Sequence, residues 1–268
     1  MIMKSIRKMS AVALALAGSL ATFGQGAGLG LNFASTDPDA ATSSLLPEEL
    51  AGVLPQANWN NLTGASGSGV GSLVYDNNGT AVPSSLVISW SAPNTWRSGA
   101  NNGFPAGSPD QKLTSGYLDT GNAANNGVSI TVSNLDSAII ADGYDIYVYF
   151  VSDSSADRGG AYIVDDGHGP IVKYGSTMGT PVEYVEDPGT DQNLSQDGNY
   201  LRFKQLTGSS FTLKSDTTQT TPNGFRAPVN AIQIVPTPQF GPVVATQPRN
   251  VEIYSGHNAR FIAAVDGY

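Results

Sequence analysis

The chain reads as an all-β protein, a β-sandwich or jelly roll of two packed antiparallel sheets. Three observations predict this. Apolar and polar residues alternate with period two in one run after another. The runs are short, rich in β-branched and aromatic residues, and bounded by Gly, Asn, Asp or Pro. Nothing between them carries a sustained helical period, so the layers pack sheet on sheet. Charged residues make up only 13 % of the 268 positions while Gly alone contributes 31, a composition that suits long polar loops around a β core.

Taken in order, strands are expected at 29–34 and 70–75. Leu86, Ile88 and Trp90 then share one face of a strand, with Ser85, Val87, Ser89 and Ser91 on the other. Val128, Ile130 and Val132 alternate with Ser129, Thr131 and Ser133, and Tyr144, Ile146, Val148 and Phe150 with Asp145, Tyr147, Tyr149 and Val151. Further strands are expected at 160–165, 170–174, 181–186, 199–204, 209–214 and 229–236. The clearest hairpin is 161–174, where Asp165-Asp166-Gly167 supplies residues that accept positive φ. The one helical candidate is Ser44–Val53, with Pro47 and two glutamates suited to a first turn. Segments 92–127 and 187–198 read as long polar loops at the ends of the sandwich.

Domain boundaries follow from composition. Lys4, Arg7 and Lys8 precede a short apolar run, Met9–Leu20, and small residues near Ala27 offer a cleavage site. Residues 1–27 are therefore expected to be an export signal, and the run is too short for a membrane span. A β-sandwich is expected over 28–236. A Pro-rich linker at 237–242, continuous with Pro236, holds the backbone extended. The start of another β unit occupies 243–268.

Charge and cysteine content exclude several functions. With Lys4, Arg7 and Lys8 removed, 10 of the 13 basic residues face 22 acidic ones, a net charge of −12. Such a surface repels nucleic acid and anionic lipid. The absence of cysteine excludes disulfides, thiolate metal sites and thiol nucleophiles. His168 and His257 fall in separate units, and no GxSxG context accompanies them. Glu183 and Glu186 face opposite ways on one expected strand, a poor start for a glycosidase pair. The chain is expected to be non-catalytic, monomeric within a larger protein, without nucleic-acid partner or membrane insertion, and to carry no cofactor beyond a structural calcium.

Two resemblances rest on particular segments. YDIYVYFVSDSSADRGGAYIVDDG (144–167) and GNYLRFKQLTGSSFTLKSDTTQTTPNGFRAPVNAIQIVPT (198–237) combine an aromatic-rich strand, a Gly-Gly hairpin and a closing NAIQIV strand. Together with GLNFAST…AGVLPQANWNNLTG (30–64) they resemble the galactose-binding-like jelly rolls found as carbohydrate-binding modules in bacterial secreted surface proteins. That resemblance implies glycan or polysaccharide recognition and a structural calcium. Residues 243–268 resemble the opening of an intermediate-type immunoglobulin-like domain, through Pro248, Val251, Ile253, Gly256 and the alternation Ala259, Phe261, Ala263. Ala263 stands where many such domains carry their first disulfide cysteine. The core Trp and the second sheet of such a domain are missing, so this unit reads as incomplete.

Candidate ligand residues form two groups. If Tyr144, Ile146, Val148 and Phe150 face the core, Tyr147 and Tyr149 point the other way, joined by Arg202 and Gln233. An aromatic ring with planar donors and acceptors around it is how proteins hold sugars. The alternative is that these tyrosines lie beneath a second layer or a long loop. The other group is the loop at Trp96 and Arg97, joined by Arg158. Trp59 and Trp90 read as core, whereas Trp96 lies among polar residues. Asp153 and Asp157 are the calcium candidates, although no D-x-D-x-D-G loop is present. The leading expectation is a secreted or cell-surface module that recognises glycan. The alternatives are a structural or adhesive spacer, and the leading part of a polysaccharide-degrading enzyme whose catalytic domain lies beyond Tyr268.

Overall fold

In the computed structural model the described residues are 28–35, 43–69, 72–76, 79–98, 103–123, 126–153, 158–194, 196–217, 226–237, 243–246 and 264–266. The expected export signal, linker residues 238–242 and most of the immunoglobulin-like segment lie outside them.

The described chain is mostly β. One sheet has five strands in the spatial order β12 (Tyr200–Leu206), β8 (Tyr144–Tyr149), β14 (Ala231–Pro236), β1 (Leu29–Ala34) and β2 (Asn60–Thr63). The other has seven, β11 (Asp197–Gly198), β10 (Pro170–Thr177), β9 (Gly159–Asp165), β13 (Phe211–Asp216), β7 (Gly127–Ser133), β4 (Val87–Ser91) and β3 (Ser66–Ser68). A separate hairpin joins β5 (Asn94–Arg97) to β6 (Gly116–Asp119). β15 (Val243–Thr246) pairs antiparallel with β16 (Ala264–Asp266). Two short helices complete the elements, α1 (Pro109–Leu113) and α2 (Ser137–Ile140).

Period-two alternation drives one face of each sheet into a shared core. Ile146, Val148, Phe150, Leu201, Phe203, Ile232 and Ile234 come from the five-stranded sheet. Ile88, Trp90, Val128, Ile130, Val132, Val164 and Leu213 come from the seven-stranded one. Three aromatic pairs bridge the layers: Phe33 with Trp90, Tyr144 with Phe211, and Phe150 with Tyr162, at centroid separations of 6.1, 6.1 and 5.3 Å. Offset and tilted contacts of this kind add to the area buried. The chain is therefore sandwich-like, as its alternation predicts.

The far face of the five-stranded sheet is covered as well. Leu45, Ala51 and Trp59 from the segment after β1, and Leu113 from α1, pack on Tyr147, Tyr149, Ala231 and Val235. This second core explains why the run Tyr144–Val151 is apolar on both sides apart from Asp145.

Several expectations need correction. Ser44–Val53 is not a helix. A turn closes from Glu49 N to Leu46 O, and Ala51 and Gln56 bond as an isolated bridge. Leu45 and Ala51 are buried while Leu46 and Leu50 are exposed, a spacing that suits an irregular cover and not a helical stripe. The helices form elsewhere, where caps exist. The Ser108 hydroxyl accepts from Gln111 N ahead of Pro109, and the Asp136 carboxylate accepts from Ala138 N. Segment 92–127 is not one loop, since it carries the β5–β6 hairpin and α1. At 181–186 no strand forms: Tyr184 is drawn onto Tyr149 and donates to Asp110 Oδ1 at 2.7 Å, leaving one bridge, Glu186 to Tyr200. At 70–75 the described residues contribute one bridge, Val74 to Ala81. Finally, β1 pairs with β2, and β10 with β11, in parallel, so the sheets are mixed.

Candidate functional site

The first predicted group belongs to the second core. Arg202 and Gln233 both lie directly across from Tyr147 in the ladder, so the expected row exists. It is enclosed. The Tyr149 hydroxyl donates to Gln233 Oε1 at 2.8 Å and accepts from Val53 N at 2.8 Å. Gln233 Nε2 donates to Leu54 O at 2.7 Å and to Gln56 Oε1 at 2.8 Å. Burial pushes the Tyr149 phenol well above its ordinary pKa. Arg202 lies over the Tyr147 ring at 5.4 Å and clamps Asp145 Oδ2 through Nε and Nη2 at 2.8 and 2.6 Å. With Tyr149 and Gln233 at 0 % and 1 % exposure, this row is structural: nothing of those two side chains is left for a ligand to reach.

The second group converges at one end of the molecule. In the β5–β6 hairpin Trp96 lies opposite Tyr117, and Asn94 opposite Asp119. Residues directly opposite in an antiparallel pair share a face, and so do residues two apart on one strand. Asn94, Trp96, Tyr117 and Asp119 therefore rise from the same side. Tyr117 is buried, while Trp96 is 45 % exposed.

Charged residues gather about Tyr117. Asp119 receives Arg226 Nη1 on both carboxylate oxygens at 3.1 and 3.2 Å. It also accepts from Gly121 N at 2.9 Å. Tyr117 donates to Asp153 Oδ1 at 3.5 Å, and Asp153 forms an ion pair with Arg158. Burial lowers the Arg158 guanidinium below its ordinary pKa, and repulsion from Arg226 adds to this; Tyr117 and Asp119 oppose it. Burial pushes the Tyr117 phenol up, and the Asp119 charge adds to that. The two arginines, the two aspartates and Tyr117 thus form one electrostatic cluster, and Tyr117 is the strand partner of Trp96.

Besides the Leu118–Val229 bridge, one buried amide positions that cluster. Asn230, at the head of β14, accepts from Val151 N at 2.5 Å and donates from Nδ2 to Thr114 O and Gly116 O, both at 2.9 Å. It staples the hairpin to the chain that runs from β8 to Asp153. Gly116 lets β6 lie close to the end of β1, since a Cβ there would lie 2.5 Å from Ser35 N.

Of the predicted residues, Arg158 and Asp153 pair with each other, Trp96 is linked to them only through its strand partner Tyr117, and Arg97 is adjacent on β5 but faces the other way. Tyr147, Tyr149, Arg202 and Gln233 are gathered elsewhere. Asp157 lies outside the described residues. Asp153 already has a cation, Arg158, as its partner. Among the described residues, no group of three acidic or histidine side chains is placed to hold a metal, and no helix is long and apolar enough to cross a membrane. Asn94, Tyr117, Asp119, Arg226 and Asn230 were not legible as site residues. The signal that was present is Asn230, a lone amide ahead of an apolar closing strand.

Chemically, the hairpin offers a part-exposed indole on the face it shares with Tyr117 and Asp119, and these two residues lead to the two guanidinium–carboxylate pairs. The indole covers apolar C–H surface. The pairs present planar donors next to acceptors, held in place by each other before any ligand arrives. Comparison of the chain with protein-family models, with curated proteins and with solved structures returns no match.

Proposed function

We propose that the protein is an exported, non-catalytic module of jelly-roll type that recognises neutral glycan through the Trp96 cluster. The observation that carries this reading is the part-exposed Trp96, set directly across from Tyr117 on a face shared with Asp119, with the Asp119–Arg226 and Asp153–Arg158 pairs gathered about Tyr117. A pyranose has an apolar C–H face and equatorial hydroxyls. The indole takes the first, and guanidinium–carboxylate pairs take adjacent hydroxyls as donors and acceptors. The charges of the four ionic groups balance, and the chain as a whole carries −9, which disfavours polyanionic sugars.

Affinity electrophoresis through gels containing a panel of neutral polysaccharides tests this. Retardation by at least one glycan is expected, with a loss of about tenfold in affinity for Trp96→Ala. Unchanged mobility on every neutral glycan would overturn the reading. The sealed outer face of the five-stranded sheet supports a second reading, a structural spacer in a longer surface protein, and that result would favour it.

A further inference from the structure

We propose that the Asp187–Pro188 peptide bond is a self-cleavage site, at which the Asp187 carboxyl attacks its own backbone carbonyl and Pro188 leaves as a new N-terminus. None of the groups that form this site belongs to the Trp96 cluster.

The chain is held on both sides of that bond. Asp187 N donates to Tyr200 O at 2.9 Å, Lys173 Nζ to Pro188 O at 3.0 Å, and Tyr174 N to Gly189 O at 3.0 Å. The Asp187 carboxylate is buried, and an amide holds each of its oxygens: Gly189 N donates to Oδ1 at 2.8 Å and Ser176 N to Oδ2 at 3.1 Å. The ring closed by the Gly189 bond contains the Asp187–Pro188 bond itself. It is an Asx turn, which folds the carboxylate back along the bond it is to cut, and Gly189 completes it at φ +73°. A nucleophile fixed in this way reacts without first being ordered.

The dipeptide selects the reaction. An Asp followed by another residue can close a cyclic imide through the next backbone N–H. Pro188 has no N–H, so that route is shut and attack by a carboxylate oxygen on the Asp187 carbonyl carbon remains. A five-membered cyclic anhydride forms, and the C–N bond to Pro188 breaks. The carboxyl proton passes to the proline nitrogen, which leaves as a secondary amine. Water then opens the anhydride, giving Asp187 a free α-carboxyl. The sum is hydrolysis by one water, with no oxidant and no cofactor. Pro188 is exposed, so the leaving amine has solvent beside it.

The step needs the neutral carboxyl. Burial pushes Asp187 above the ordinary carboxyl pKa, against the pull of the Gly189 and Ser176 amides and the Lys173 ammonium; Asp197 adds to the rise, and the Tyr162 phenol also faces it. The neutral form is thus populated at higher pH in the folded protein than in an unfolded chain. Cleavage is expected to grow as pH falls through the folded value. β10 precedes the cut and β12, β13 and β14 follow it, with β13 lying between β9 and β7 and β14 between β8 and β1. The two pieces therefore stay interleaved as a nicked sandwich.

The test incubates the protein at about pH 5, roughly one unit above the ordinary Asp value, folded and in urea. Denaturing electrophoresis, intact mass and N-terminal sequencing follow the products, and circular dichroism confirms the folded arm at the same pH. A fragment beginning at Pro188 is expected, formed about tenfold faster in the folded protein than in urea, and more slowly at about pH 7. Asp37–Pro38, the other Asp-Pro pair of the chain, supplies the reference rate in urea. Asp187→Asn is expected to slow the cut about tenfold or more. Pro188→Ala alters an exposed position, keeps the Asp187 carboxyl, and is expected to abolish the cut. A rate in the folded protein no greater than in urea, or a cut that persists in Pro188→Ala, would overturn the proposal.

Discussion

Tyr149 and Trp96 mark the contrast on which the functional reading turns. Both are aromatic residues beside polar groups, yet one is sealed and the other open. Replacing Tyr149 by Phe removes a hydroxyl that bonds both Val53 N and Gln233 Oε1, so a loss of about 1–3 kcal/mol in denaturant stability is expected, with glycan affinity unchanged. A binding defect without a stability defect would return Tyr149 to the ligand site. Alternation correctly placed Tyr144, Ile146, Val148 and Phe150 inward. It was silent about the other side, because a strand covered on both faces differs from a half-exposed one only in how apolar its outward residues are. Tyr147, Tyr149 and Val151 carried that signal.

Asp166 gives a pH-dependent prediction at the same scale. Burial would raise its carboxyl, but the Gly208 and Thr207 amides and His168 hold it below the ordinary value. A lowered folded-state pKa contributes stability above the unfolded value, about pH 4, and that stability is lost as pH falls through the folded value. Asp166→Asn is expected to cost about 1–2 kcal/mol at neutral pH, with the gap to the parent closing below about pH 4. Urea midpoints measured at both pH values check this. An equal gap at pH 3 would remove the charge from the account.

Among the elements, the β5–β6 hairpin is the one on which the proposed function rests and the one the sequence concealed. Its strands have four residues each, and Asn94–Arg97 carries no apolar alternation. It is held by Asn230 and by the Leu118–Val229 bridge, contacts more than a hundred residues away in sequence that no local pattern encodes. Asn230→Ala leaves Val151 N, Thr114 O and Gly116 O without their partner. The expected result is a loss of about 2–3 kcal/mol in stability and weaker glycan binding, although Asn230 is itself buried. Full affinity in a stable Asn230→Ala protein would show that the cluster is positioned by something else. The hairpin at 161–174 was legible because its turn chemistry is local: Gly167 and Gly169 adopt φ of +94° and +106°. The expected helix at Ser44–Val53 failed for a related reason. Pro47 and the two glutamates satisfied a local rule, while the demand to cover Tyr149 came from across the sheet.

At the scale of the whole molecule, two sheets share one core, a loop layer seals the outside of the five-stranded sheet, and the seven-stranded sheet keeps an open hydroxyl-rich face. The all-β class was legible because alternation repeats along the chain, whereas the convergence of β5, β6, Asp153, Arg158 and Arg226 depends on tertiary closure. The three tryptophans allow a direct test, since Trp59 and Trp90 are buried at 4 % and 5 % exposure and Trp96 is not. Tryptophan emission should be followed while the protein is titrated with the neutral polysaccharide that retards it. A saturable blue shift that disappears in Trp96→Ala is the predicted result; an unchanged spectrum, or a shift that persists in that variant, would contradict it.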